Sequence, residues 1–163
     1  MTQPDVDVSE KVDAPLDDVW ESWADFGGIY KFHSDVLRTT ILTGSNSRGV
    51  GAVRRCELSD HRNDIEERIV AWEPKRLIGF EFKRTSLPIA TAWGDFSFES
   101  CSASQTQVRM RFWFTPLGLV PRLMKPVMTW KIRSGFEKLL ANNKNFVEQG
   151  THWLECETGR DSA

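Results

Sequence analysis

The chain has 163 residues, with 21 Lys and Arg against 23 Asp and Glu, a formal charge of -2. That balance excludes the basic footprint of a nucleic-acid binder, and the length suits one domain with a sizeable core. No apolar run reaches membrane-spanning length, and the opening MTQPDVDVSE is polar and acidic, unlike a signal peptide, so a cytoplasmic protein without membrane insertion is expected.

Val6 to Val12 alternates at period two and predicts a strand. Pro15 suits a first helical position, and Leu16, Val19, Trp20 and Trp23 form a helical stripe over Leu16 to Ala24. Gly27-Gly28 breaks it, with one more turn predicted over Ile29 to His33. Strands follow at Val36 to Leu42, Ala52 to Leu58, Ile65 to Trp72, Leu77 to Thr85, Ala92 to Glu99 and Val108 to Phe114. Turn chemistry recurs about every ten residues between them, which predicts an antiparallel, strongly curved sheet. From Pro121 to Gln149 the period becomes helical, with Leu123, Val127, Trp130, Ile132, Phe136, Leu139, Leu140 and Val147 expected on the buried face. Pro126 should end or kink the first turns, and Gly150 is the expected stop. A long helix must bury its apolar face, and the concave side of the sheet is the partner large enough.

GVGAVRRCEL, Gly49 to Leu58, begins like a dinucleotide fingerprint, but Arg54 stands where the third glycine belongs and a strand follows instead of a helix. The phosphate reading therefore fails. The same stretch resembles the G-x-G-x-x-R strand start of the START-like, Bet v 1-like helix-grip superfamily (SRPBCC) with its polyketide cyclase/dehydrase-type members. VDAPLDDVWESWADFGGIYKFH, EERIVAWEPKRLIGFEF, SLPIATAWGDFSFES and TQVRMRFWFTP are similar to its other motifs, in order, over about residues 5 to 150. The resemblance implies an α+β helix-grip fold: a curved seven-stranded antiparallel sheet around a long C-terminal helix, with two short helices after the first strand. One START-like domain over residues 1–163 is expected, with 151–163 as a tail. The resemblance also implies a cavity whose mouth is formed by two loops, one with Gly49 and Gly51, the other with Leu87 and Pro88. A plain turn needing positive φ is the alternative for the glycines.

Strand alternation gives a map of the interior. Its inward set is Phe80, Phe82, Phe96, Phe98, Met110, Phe112 and Phe114, with Arg54, Cys56 and Leu58 on one neighbouring strand and Ile65, Glu67 and Ile69 on the next. Met124, Met128, Ile132 and Phe136 would close the space from the helix. Most of these are core by default; the polar intruders Arg54 and Glu67 mark a binding wall. A hairpin turning near His61 puts Cys56 opposite Glu67 and Arg54 diagonal to it, within pairing reach. The pair would anchor a carboxylate or hydroxyl of a mainly apolar ligand, or serve only as a structural ion pair. A register slipped by one would send both outward. His33 could sit near the mouth, but nothing in the sequence supplies it a partner.

Cys56, Cys101 and Cys156 are too scattered for a disulfide framework, and His33, His61 and His152 fall in no metal-ligand spacing, the His152/Cys156 pair included. No metal or cofactor is expected. Trp93 and Trp113 fall on the faces opposite Phe96 and Phe112, which predicts an outward tryptophan face and a homodimer through it, unless arginines or the tail with Trp153 and Leu154 cover it. Three functions follow: binding of a small lipophilic molecule, a cyclase/aromatase-like enzyme using the same cavity, or an interaction module using the tryptophan face.

Overall fold

The computed structural model describes residues 2–158, with side chains for 2–150. Strand β1 (Val6–Val12) leads through Pro15 into α1 (Leu16–Ala24). Asp17 and Asp18 lie in the first turn of α1, where the helix dipole favours negative charge. A 3₁₀ turn (Phe26–Lys31) precedes β2 (Val36–Ile41), β3 (Val53–Leu58), β4 (Asp64–Glu73), β5 (Leu77–Thr85), β6 (Ile89–Ser102) and β7 (Gln105–Pro116). Helices α2 (Leu119–Leu123) and α3 (Lys125–Thr158) finish the chain. The seven strands form one antiparallel sheet in the order β1-β7-β6-β5-β4-β3-β2, so the expected helix-grip architecture is the one found.

One correction concerns the β3–β4 hairpin. Asp60 Oδ1 accepts from the N–H groups of Arg62 and Asn63, 2.9 Å each, and Leu58 N–H donates to Asn63 O. This centres the turn between Asp60 and His61, so Arg54 lies directly opposite Glu67 and Cys56 opposite Ile65. The inward face is as expected; the pairing is two residues off.

A second correction concerns the long helix. Leu123, Val127 and Trp130 are exposed, and so is Met124, which sits in the break between α2 and α3. Pro126 fits the first turn of α3, where its missing N–H costs nothing. From there Met128, Ile132, Phe136, Leu139, Leu140, Asn143 and Val147 share one face. Val127 and Trp130 fall roughly 150° around the helix from that face, given 3.6 residues per turn. Nor does Gly150 stop the helix, which runs on to Thr158; one interior glycine costs only about 1 kcal/mol. The side chains of His152, Trp153, Leu154 and Cys156 lie outside the described residues, so the tail's cover over the tryptophan face does too.

Trp93 and Trp113 pair directly across β6 and β7 on the convex face, their rings stacked at 3.8 Å. Trp113 Nε1–H donates to Thr2 O, so the N-terminal segment shields one edge of the stack. Beside it, Arg111 grips the buried Asp95 through two hydrogen bonds of 3.0 and 2.7 Å.

On the concave face the row Phe80–Gly94–Phe112 crosses three strands. A Cβ on Gly94 would stand 2.7 Å from Arg111 O, 2.8 Å from Phe80 Cζ and 3.1 Å from Phe112 Cδ2. Gly94 is therefore the gap through which Phe80 and Phe112 approach each other, ring centroids 6.3 Å apart. Gly94→Ala should cost roughly 1–3 kcal/mol by overpacking, read as a lower urea midpoint with the slope unchanged; an unchanged midpoint would show that the rings yield freely.

Candidate functional site

A cavity of about 70 Å³ lies between the sheet and α3. Of the residues expected there, Arg54, Cys56, Glu67, Phe80, Phe82, Phe96, Met110 and Phe136 line it, as do Leu58 and Ile65. Ile69, Phe98, Phe112 and Met128 do not. Phe98 packs edge-on against Trp20 beneath α1, ring centroids 5.3 Å apart. Phe112 is sealed among Phe80, Phe82, Phe114 and Phe136. Ile69 is fully buried core, and Met128 packs on the core further along α3. Alternation correctly gives the face each side chain points to, but not its depth along the strand.

Arg54 is 6% exposed and fully engaged. Its Nε and Nη2 reach Glu67 Oε2 at 2.7 and 2.6 Å, Nη1 donates to Phe26 O at 2.9 Å, and the guanidinium lies 4.1 Å over the Phe26 ring. Burial alone would lower its pKa; the Glu67 carboxylate outweighs burial and raises it. The cation therefore stays charged inside an aromatic wall. Both contacts fall on one carboxylate oxygen, and Glu67 Oε1 makes no hydrogen bond among the described residues. Burial pushes the neighbouring Cys56 thiol up to about 11, which makes it a poor nucleophile.

His33 joins the same wall. Its Nδ1 accepts from Asp35 N–H at 3.3 Å, which assigns the proton of the neutral ring to Nε2. Burial lowers its pKa, while the charges of Glu67 and Asp35 pull the other way. Ile29, Val36 and Leu139, absent from the sequence map, also line the cavity. The 3₁₀ turn that contains Gly27-Gly28 brings in Ile29, and His33 follows just past its end, its N–H donating to Ile29 O; a broken helix in the sequence gives no face on which to place them.

The two loops expected at a mouth part company. Gly49 and Gly51 adopt φ of 83° and 88° in a plain turn, and Gly51 N–H donates to Ile69 O. Arg48 beside them binds Ala24 O and Glu21, fastening the loop to the end of α1. They belong to the sheet end opposite the β3–β4 hairpin and do not line the cavity. Leu87 and Pro88 sit at the hairpin end, where Ser86 binds Asn63 and Asp64. Leu58, Ile65 and Phe82, the cavity residues nearest that end of their strands, face the same way.

The profile of a family described as polyketide cyclase / dehydrase and lipid transport matches residues 3–148. No curated protein matches the chain. Among solved structures, an aromatase/cyclase from a Streptomyces species superposes with a TM-score of 0.76 at 20% identity, covering 88% of this chain and 93% of that one. A START superfamily protein from Mycobacterium smegmatis gives 0.75 at 15% identity, covering 88% and 97%. At these identities the likeness establishes the shared fold.

His33 sets a pH dependence. Its folded pKa lies below the ordinary value of 6.5, so as pH falls through 6.5 the unfolded chain binds a proton that the folded chain refuses. Stability should drop below pH 6.5 and level off under the folded value. Urea unfolding at pH 7, 6 and 5 should show a smaller loss in His33→Asn than in the wild type; parallel losses would remove His33 as the cause.

Proposed function

Because the chain belongs to the polyketide cyclase / dehydrase and lipid transport family, we propose that it binds a small, mainly apolar molecule between the sheet and α3, with one polar group of that molecule held at Glu67 and His33. The observation that carries this is the Arg54–Glu67 pair on the wall of an otherwise aromatic and aliphatic cavity. A core built only for stability gains nothing from a buried ion pair that apolar residues of like volume could replace. Each guanidinium nitrogen of Arg54 is already engaged by Glu67 or Phe26 O, so it serves to aim the Glu67 carboxylate. Glu67 Oε1 accepts from a ligand hydroxyl and His33 Nε2–H donates to a ligand oxygen. At about 70 Å³ the cavity holds no ligand of the usual size. The side chains that would yield are the half-buried Phe82, Leu87, Met128, Ile132 and Phe136, all at or near the hairpin end.

His33 favours one second reading. A histidine kept neutral beside a carboxylate is placed to move a proton, and a cyclase-type reaction of a folded carbonyl chain needs such a base together with a confining wall. In that reading the ring proton shifts through solvent from Nε2 to Nδ1, giving up the Asp35 N–H contact; the freed Nε2 takes a proton from the carbon beside a substrate carbonyl and returns it to the alkoxide formed on ring closure, so His33 ends neutral, and the Glu67 carboxylate steadies the imidazolium in between.

Native mass spectrometry of the purified protein, then soaking with a library of hydrophobic phenols and acyl chains, tests the binding reading. The wild type should capture at least one hydroxyl- or carbonyl-bearing compound. Arg54→Met/Glu67→Leu, which removes both charges together and should still fold, should bind it at least tenfold more weakly. Equal capture by the double variant, or none by the wild type, overturns the reading. Turnover lost in His33→Asn with binding intact selects the enzyme. The homodimer is a separate proposal, resting on exposed Trp93 stacked on half-buried Trp113: Trp93→Ala/Trp113→Ala should sediment at half the wild-type mass, and an unchanged mass discards it.

A further inference from the structure

Among the described residues, the longest run of exposed apolar side chains lies where β7 passes into α3. Leu117, Leu119, Val120, Leu123, Val127 and Trp130 are all exposed, Leu119, Leu123 and Trp130 by 73%, 76% and 67%. Scattered surface leucines need no explanation, but exposed apolar side chains concentrated in one short segment mark a contact surface. Val127 and Trp130 cannot turn inward, because the opposite face of α3 already packs on the core through Met128, Ile132 and Phe136.

Charge decides what covers the patch. Between Glu99 and Glu137 the chain carries no Asp or Glu, although acidic residues outnumber basic ones overall. Arg122, Lys125 and Lys131 lie within the apolar segment. The carboxylates that reach this side are already engaged: Asp5 by Lys125 at 2.7 Å and Asp7 by Arg109 at 2.5 Å. Arg122 and Lys131 are exposed and have no ion-pair partner among the described residues. Exposed leucines and a tryptophan, interleaved with basic residues and free of acids, match an anionic lipid surface: the apolar side chains sink to the acyl boundary, and the long basic side chains meet the headgroups.

We propose that this face, from Leu117 to Lys131, docks the protein on anionic membranes. The expectation that the chain stays off membranes rested on the lack of a spanning segment, and no helix among the described residues is long and apolar enough to cross; an interfacial face needs no such length. The patch also adjoins the cavity's hairpin end, since Leu117 N–H donates to Pro88 O at 2.9 Å. A lipid surface in contact with α2 and the first turns of α3 therefore touches the elements that must move to admit a ligand.

Co-sedimentation with phosphatidylcholine vesicles, with and without 30% phosphatidylglycerol (about one lipid in three, enough for a strong negative surface), tests the docking without any cavity ligand. The wild type should bind the anionic vesicles, at least tenfold more weakly once salt is raised or phosphatidylglycerol is left out. Leu119→Ser/Leu123→Ser/Trp130→Ser should lose the binding while keeping the wild-type unfolding midpoint, since all three side chains are exposed. Arg122→Gln/Lys131→Gln should lose the salt-sensitive part alone. Absence of wild-type binding, equal binding by the triple variant, or a wild-type dimer that the triple variant dissolves, overturns the proposal, the last outcome making the face a contact with a second copy. Ligand capture in the soluble assay is unaffected by any of these results, so the two readings fail separately.

Discussion

The structure depends on how one helix covers one concave sheet. The sheet has a single inward face, and α3 is the element long enough to close it. The closure is not uniform. Toward the C-terminal half, Leu139, Leu140 and Val147 are buried, and Asn143 is locked between Trp23 Nε1, which donates to its Oδ1 at 2.9 Å, and Ser22 Oγ, which accepts from its Nδ2 at 2.9 Å. A buried amide satisfied on both sides specifies the position of α3 against α1. Toward the N-terminal half, Met128, Ile132 and Phe136 are only half-buried, and the polar ties lie at the rim: Arg133 Nη1 donates to Asp7 O at 3.1 Å and Lys125 pairs with Asp5 at 2.7 Å. One end of the helix is pinned through its buried face; the other rests on the sheet, tied only at its edge.

Where α3 rests instead of being pinned, the wall beneath carries charge. Taking Arg54 and Glu67 out of water is costly, and removing one partner would leave the other stranded, at a cost of about 3–5 kcal/mol. The pair is tolerable because Phe26 O and the Phe26 ring complete the guanidinium's surroundings. The same contacts tie β3 to the 3₁₀ turn, and through it set His33 on the wall. Cavity polarity and the path of the chain between α1 and β2 are thus one problem with one solution.

Much of this was legible in the sequence because strands announce their faces. Period two alone sends Arg54, Cys56 and Glu67 inward with the phenylalanines, and the outward stack of Trp93 on Trp113 follows from the same rule. What period two does not carry is position along the strand. The hairpin register hinged on which residue of Ser59 to Asn63 anchors the turn, and Asp60 does so through its carboxylate, a choice that any of several polar residues there could have made. Depth was misjudged for Phe98 and Ile69 for the same reason. On α3 the difficulty was phase. Leu123 belongs to a different helix from Ile132, and joining Val127 and Trp130 to the buried stripe required overlooking that Met128 already starts it. His33 and Ile29 were harder still, since a 3₁₀ turn presents no period from which to read a face.

The misassigned residues are also the informative ones. Had Val127 and Trp130 packed inward, α3 would be anchored along its whole length and the cavity would have no soft end. Their exposure instead leaves the N-terminal half of α3 with an apolar face on each side: one half-buried over Phe82 and Phe112, the other turned to solvent. A segment with apolar surface on both sides has two competing places to bury it, and local opening requires only that the outer face find cover worth as much as the inner contacts it gives up. The Leu117–Pro88 hydrogen bond couples that choice to the β5–β6 loop, while the Asn143 lock keeps the far half of the helix from following. Opening at one end and rigidity at the other are therefore consequences of the same helix phase.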